Sequence, residues 1–196
     1  HPDRKAVGGS GGGWWWHTPH DTLDKADAEI LADDTRVYVT MVARMCLPRL
    51  HPYRFVPVAG DFLRHLGELQ EVAGTHLDLT PVLARAQAFQ QAAERLDVVV
   101  QDIGDEERIR ELNRGMRELS RLLNPVLFTI RGPYEFDPAL QLPVLPGLAP
   151  MRRLAALDPA GDDYRFLWTQ LVRQRNRIED ALRRAAVLAN DLASTL

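Results

Sequence analysis

Histidines are the residues of this sequence best suited to bind a metal ion, and they occur at positions 1, 17, 20, 51, 65 and 76. His17 and His20 are close together, but Pro19 lies between them and blocks a regular helix at that point. A zinc motif that presents two histidines on one helix face is therefore excluded there.

The remaining histidines receive no catalytic assignment. His1-Pro2-Asp3 has the order of a His-x-Asp ligand pair, but it stands at a proline-bearing chain end and we give it no role. His51 lies in a loop between prolines, and His65 and His76 lie near the boundaries of a predicted helix. We interpret these three as structural, because an isolated histidine is more often a surface or capping residue than a ligand.

Other catalytic signatures are absent from the sequence. There is no serine-centred nucleophile elbow, and the glycine-rich stretch 8–13 lacks the lysine and the strand–helix context of a phosphate-binding loop. We interpret the carboxylates, such as Asp33, Asp34, Glu106 and Glu107, as residues on solvated helix faces or as caps at the start of a helix.

Charge and composition exclude two further classes of function. The net charge is −3, and residues 162–196 hold six arginines against five acids, so no uncompensated basic surface for nucleic acid is expected. No run of 18 apolar residues is present, so no membrane-spanning helix is predicted.

A single cysteine, Cys46, excludes an intrachain disulfide framework. The 196-residue length suits one domain or slightly more, and the start at His1, without an initiator methionine, suggests a piece of a longer protein.

The periodicity of apolar residues from position 26 onward predicts helices almost throughout. Asp27 should cap a helix that ends near Cys46, before Pro48. A second helix should run from about Pro57-Val58 to Gly74, and a third should start with Thr80 as its N-cap. Asp105 should cap a fourth that ends before Pro125, and a long final helix should begin at Asp162 or Asp163. Each of the last four of these helices has a predicted apolar face. On the second helix it is Val58, Phe62, Leu66, Leu69 and Ala73, and on the third it is Ala86, Phe89, Ala93, Leu96, Val100 and Ile103. On the fourth it is Ile109, Leu112, Met116, Leu119 and Leu123, and on the final helix it is Tyr164, Leu167, Leu171, Ile178, Leu182, Ala185, Ala189 and Leu192.

Residues 124–161 interrupt this pattern with seven of the thirteen prolines. They predict an extended connection that wraps a surface, with one short helix near 151–157. The predicted fold is therefore all-α: a bundle of four to five main helices with a proline-rich extended connection, preceded by an irregular N-terminal segment.

The irregular N-terminal segment contains a specific motif. Trp15-Trp16-His17-Thr18-Pro19-His20-Asp21-Thr22-Leu23-Asp24-Lys25 resembles the last metal-ligand segment of the co-catalytic zinc exopeptidases, the family of bacterial aminopeptidases, glutamate carboxypeptidase and the transferrin receptor. In that family a Trp/Tyr-His-Thr/Ser-Pro-x-Asp-Thr segment supplies the final histidine of a two-zinc site. His17 matches that ligand, and Asp21 and Thr22 match the conformation-setting residues. His20 departs from the family, which commonly has an acidic or amide residue there.

The rest of the chain is similar to the helical C-terminal domain of the larger members, which is named for dimerisation in the transferrin receptor. The similarity is carried by 123–129 (Leu-Asn-Pro-Val-Leu-Phe-Thr), 145–148 (Leu-Pro-Gly-Leu) and 173–177 (Arg-Gln-Arg-Asn-Arg). The resemblance implies that 1–25 is a remnant of the catalytic domain and that 26–196 is the dimerisation domain.

The resemblance also implies a function, a cofactor and partners. The chain would be the assembly domain of a zinc-dependent aminopeptidase or carboxypeptidase, and His17 would bind zinc only in the intact parent. The isolated chain would hold no cofactor and would be inactive, because the bridging aspartate, the base glutamate and the other ligands lie upstream in the family. The expected partners are the upstream catalytic domain, a peptide substrate of the parent and a second copy of the chain, without nucleic acid or membrane. Relatives are often exported, so a secreted or extracytoplasmic location is compatible with this.

Self-association is expected through the long final helix. Its apolar face is interrupted at Gln174 and Arg175, and Trp168 lies one step off that face, as an interface residue would. The alternative is that Trp168 covers the proline-rich connection 124–161.

An independent alternative for the whole chain is a stand-alone helical bundle that binds a ligand or a protein. It predicts a pocket lined by Trp14, Trp15 and Trp16 and a start methionine near residue 1.

Overall fold

The computed structural model describes residues 13, 15–100, 103–132, 134–137 and 141–194. These residues form a 3₁₀ turn at Leu23–Lys25 and six α-helices, and no strand occurs among them. The predicted all-α class is confirmed. The helices are α1 Ala28–Cys46, α2 Val56–Ala73, α3 Thr80–Val99, α4 Glu106–Leu127, α5 Met151–Leu154 and α6 Asp162–Ser194.

The chain divides into two compact units, residues 1–52 and 53–196. The first unit contains α1, which begins where the sequence predicts. The Asp27 carboxylate accepts hydrogen bonds from the backbone N–H groups of Glu29 (2.8 Å) and Ile30 (3.1 Å), which have no partner within the helix. None of the 19 residues of α1 is buried.

The second unit is a bundle in which α6 packs against α3, α4 and α5, and α2 packs against α3 and α5. Its core is apolar, and no buried polar or charged residue occurs in the described part of the chain. Helices α3, α4 and α6 supply 21 of its 33 buried apolar residues, and 15 of these 21 lie on the predicted faces. Two ends of those faces are partly exposed: Val100 and Ile103 beyond the end of α3, and Tyr164 and Leu167 at the start of α6. No described helix combines the length and apolar character of a membrane span.

Two details of α2 and α3 differ from the prediction. In α2, Ala59 is fully buried and the predicted Val58 is only partly buried, because the face runs in steps of three and four from Ala59 through Phe62. Thr80 is the first residue of α3 and not its N-cap, which is Leu79. The carboxylate of Asp78 instead accepts a hydrogen bond from the Thr80 N–H at 2.8 Å.

The predicted end of α4 before Pro125 is wrong, since the helix continues through this proline to Leu127. Proline removes one hydrogen bond donor, but the last turn has other stabilising contacts. Val126 and Leu127 are buried, and the Pro125 carbonyl accepts hydrogen bonds from the Thr129 hydroxyl (2.8 Å) and from Arg177 of α6 (3.2 Å).

The connection between α4 and α6 wraps the bundle as predicted. Leu145 and Leu148 are fully buried, and the Leu145 N–H donates to the carbonyl of Leu127 at 2.9 Å. Leu145 has a positive φ of 55°, so its backbone is in the left-handed region that L-residues avoid. The short helix α5 lies within the predicted range 151–157 and ends at Leu154. Pro133 and Pro138 lie outside the described residues.

Candidate functional site around His17

The segment that precedes α1 is a series of hydrogen-bonded turns. The Trp16 N–H donates to the Gly13 carbonyl at 3.1 Å, and the Trp15 carbonyl accepts from both the N–H (3.0 Å) and the hydroxyl (2.7 Å) of Thr18. The Asp21 N–H then donates to the Thr18 carbonyl at 3.1 Å. Thr18 therefore links both ends of the turn, which explains a hydroxyl residue next to His17.

His17 lies at the centre of this turn with a positive φ of 61°. Its imidazole stacks on the indole of Trp16, with 3.8 Å between the ring centroids and 27° between the ring planes. Both residues are exposed. The turn thus places the imidazole against the Trp16 indole while leaving it exposed. Neither the stacking nor the left-handed backbone is visible in the residue spacing.

The residues that follow His17 connect the turn to α1. The Thr22 carbonyl accepts from the Lys25 N–H at 3.0 Å, which closes the 3₁₀ turn. The Thr22 hydroxyl and the Lys25 ammonium both donate to the Asp24 carboxylate. The hydrogen bond from Lys25, followed by that from Thr22, lowers the pKa of Asp24 below its ordinary value of 3.8. Asp24 is accordingly an ionised structural partner of the turn.

The described residues do not by themselves complete a zinc site. No group of three or more His, Cys, Asp or Glu side chains suited to a metal ion occurs among them. A zinc ion needs three or four protein ligands, and His17 provides one. The residues that the structure describes therefore do not provide a two-zinc centre, and any metal bound by His17 needs ligands beyond them.

Two of the other histidines have structural partners. His76 Nδ1 lies 3.1 Å from the Tyr164 hydroxyl, and its backbone carbonyl accepts from the Trp168 indole N–H at 3.2 Å. His65 Nδ1 lies 3.3 Å from a carboxylate oxygen of Glu68. The partners of His76 are 88 and 92 residues away in the chain, so no sequence pattern indicates them.

The sequence left two interpretations of Trp168, an interface residue or a cover for the proline-rich connection 124–161, and its hydrogen bond to His76 is relevant to both. Its indole N–H donates to the loop between α2 and α3, while 41% of the residue stays exposed. Arg175 reaches the same loop, where it donates to the Asp78 carbonyl at 3.2 Å. Trp168 and Arg175 thus tie α6 to the α2–α3 loop, a role that the sequence did not indicate.

The tryptophan pocket of the stand-alone alternative falls partly outside the described residues, because Trp14 is not among them. A described cavity of about 190 Å³ lies elsewhere, next to His65, Glu68 and Arg152.

Comparison with known proteins adds no relative. No protein-family model, no curated protein and no solved structure matches the chain. The zinc exopeptidase resemblance therefore depends only on the residues quoted for it.

Proposed function

We propose that this chain is the helical C-terminal assembly domain of a zinc-dependent aminopeptidase or carboxypeptidase, joined to the last ligand segment of the catalytic domain. The observation that carries the proposal is the Trp16-His17-Thr18-Pro19 turn. Its imidazole is stacked on an indole and exposed, and the residues between it and the start of α1 at Ala28 include the 3₁₀ turn Leu23–Lys25. A histidine held this way suits a ligand whose companions come from preceding chain.

In this proposal the chain's own residues orient a ligand and provide a scaffold. Trp16 restrains the imidazole ring, and Thr18 fixes the backbone of the turn through its bonds to the Trp15 carbonyl. When bound by the complete ligand set, paired zinc ions polarise a peptide carbonyl and acidify a water. The catalytic base and the remaining ligands would come from the upstream catalytic domain.

The assembly role rests on α6 and its neighbours. This helix has 33 residues, or about 50 Å at 1.5 Å per residue, and it contacts three other helices of the bundle. Phe166, Trp168 and Val187 on α6 are 70%, 41% and 52% exposed, which leaves apolar surface for a second copy. Sedimentation at micromolar concentration tests this part: a dimer is expected, and a ~22 kDa species unchanged on concentration would contradict it.

The catalytic part is tested by substitution in the polypeptide that includes the sequence upstream of His1. His17→Ala should remove bound zinc and lower peptidase activity more than ~100-fold, since the loss of a supporting second-shell group alone costs about 10–100-fold. His20→Ala is the matched control: it lies three residues away in the adjoining turn, which the Asp21 N–H closes on the Thr18 carbonyl, and it should keep both zinc and activity. Equal zinc content and activity in the two variants would contradict the role of His17.

A further inference from the structure

A cavity of about 190 Å³ is lined by residues of α2, of the connection that precedes α5 and of α5 itself. The apolar part of its lining consists of Leu69, Pro143, Val144 and Ala149. A cavity of about 150 Å³ holds a molecule of benzene, so this one has room for a ligand of about eight non-hydrogen atoms. A short branched aliphatic group therefore suits both its size and its apolar lining.

The polar part of the lining presents one anion and one cation. Glu68 of α2 and Arg152 of α5 line the same cavity, and Arg152 has no ion-pair partner among the described residues. Because the two charges are not used to neutralise each other, both are available to a ligand. This arrangement is complementary to a zwitterion, a small molecule that carries both charges itself.

The Glu68 carboxylate is positioned by its neighbours on α2. His65 Nδ1 lies 3.3 Å from one carboxylate oxygen, and the Arg64 guanidinium lies 3.5 Å from the other. Arg64 is shared with Asp61, which it contacts more closely, at 2.9 Å. An ionised carboxylate has about four lone-pair sites, so Glu68 can still accept hydrogen bonds from an ammonium group.

The wall that the connection contributes is fixed by its backbone. Leu145 follows Val144 of the lining, is fully buried and has a positive φ of 55°. Its N–H donates to the Leu127 carbonyl, and its own carbonyl accepts from the Leu148 N–H, both at 2.9 Å. Left-handed backbone at a residue other than glycine occurs often in ligand-binding segments. A wall that is fixed before the ligand arrives lowers the entropic cost of binding.

We propose that this cavity binds a free α-amino acid with a small branched aliphatic side chain, such as valine. Arg152 donates to the carboxylate of the ligand, Glu68 accepts from its ammonium group, and the apolar lining contacts its side chain. The proposal goes beyond the proposed function and does not depend on it, because every lining residue belongs to the 53–196 unit.

An NMR titration of the 196-residue chain with valine tests the site. We expect chemical-shift changes at the amides of Glu68, Leu69, Val144 and Ala149 and a dissociation constant of about 1 mM or lower. 3-Methylbutanoate lacks the ammonium group and 2-methylpropylamine lacks the carboxylate, so each should bind at least ~10-fold more weakly. Unchanged shifts at these amides in about 20 mM valine, or equal binding of the three compounds, would overturn the proposal.

Arg152→Gln and Arg153→Gln form a matched pair that tests the carboxylate contact. Both arginines are exposed on α5, but Arg153 lines a different cavity. Arg152→Gln should weaken valine binding at least ~10-fold, whereas Arg153→Gln should change it less than ~2-fold. Circular dichroism should show the same helix content in both variants, since neither side chain is buried. Equal effects on binding would overturn the contact with Arg152.

Glu68→Gln and Glu71→Gln make the same comparison for the ammonium contact. Glu71 is an exposed residue of α2 outside the cavity lining. Glu68→Gln should weaken valine binding at least ~10-fold and should not weaken the binding of 3-methylbutanoate, which has no ammonium group. Glu71→Gln should leave the binding of both compounds unchanged. Equal loss of the two compounds in Glu68→Gln would overturn the ammonium contact.

Discussion

Gly115 of α4 lies directly against the side chain of Leu192 in α6. A β-carbon on residue 115 would come within 2.4 Å of Leu192 Cδ1 and 2.9 Å of its Cγ, closer than real carbon atoms approach. Gly115 is buried within regular helix, so the absent side chain provides space and not backbone freedom. The close approach of α4 and α6 at this point depends on a glycine.

Gly115→Ala should destabilise the bundle. Alanine gains about 1 kcal/mol of helix propensity, but overpacking against Leu192 costs about 1–3 kcal/mol, so we expect a net loss of about 1 kcal/mol. Urea unfolding followed by circular dichroism measures it. Gly67→Ala in α2 is the control, because a β-carbon there meets nothing within 4 Å, and it should stabilise by about 0.5–1 kcal/mol. Equal stabilisation by both substitutions would show that Leu192 moves aside freely.

Arg108→Ala should weaken the contact between the start of α4 and the end of α6. The Arg108 guanidinium donates to the Leu192 carbonyl and to the Glu111 carboxylate, and its side chain is only 14% exposed. A cation at a helix C-terminus satisfies carbonyls that lack an intrahelical partner, so the loss should be about 1–3 kcal/mol. The exposed Arg110→Ala should change the free energy of unfolding by less than about 0.5 kcal/mol. A loss of the same size for Arg110 would contradict the specific role of Arg108.

Asp78 should contribute to acid sensitivity. Hydrogen bonds from the Thr80 side chain and backbone lower the pKa of Asp78 below 3.8 in the folded protein. Its stabilising effect is therefore complete above its ordinary pKa and is lost as the pH falls through the lower, folded pKa. Wild type should be more resistant to urea than Asp78→Ala at pH 7, and the two midpoints should converge at a pH well below 3.8. A difference that persists at that pH would exclude the carboxylate charge as its cause.

Removal of residues 1–52 should leave the bundle intact. Residues 53–196 form a compact unit of their own and contain every residue of the described apolar core. The thermal unfolding midpoint of the 53–196 fragment should lie within about 3 °C of that of the full chain, which corresponds to less than about 1 kcal/mol. A fragment that does not unfold cooperatively would show that the first unit supports the second.

Local rules account for the parts of this fold that the sequence predicted. Asp27 and Asp105 cap α1 and α4 as expected. A capping carboxylate accepts hydrogen bonds from N–H groups only two or three residues further along the chain, so its partners can be predicted from the local sequence. The last turn of α4, beyond Pro125, is instead stabilised in part by Arg177, which is 52 residues away. Spacing rules contain no information about such a distant partner.

The candidate site also combines a feature that the sequence predicted with features that it did not. The motif around His17 could be identified from residue types alone, whereas the left-handed backbone of His17 and its stacking on Trp16 arise from how the turn closes. The exposure of the apolar side chains of α1 could not be predicted from the sequence for another reason. Helical periodicity shows that a face is apolar, but it does not show whether the same chain covers it.

The position of α6 after α3 and α4 in the chain has a consequence for biosynthesis. Because α6 packs against α3 and α4, the surfaces of these two helices that face α6 have no cover from it until the ribosome has made α6. At about 5–20 residues per second, its 33 residues take about 2–7 s to translate. During that interval the apolar surfaces of α3 and α4 that α6 covers are open to other nascent chains. Ribosomes stalled before residue 162 should therefore present a chaperone substrate, and completion of α6 should release it.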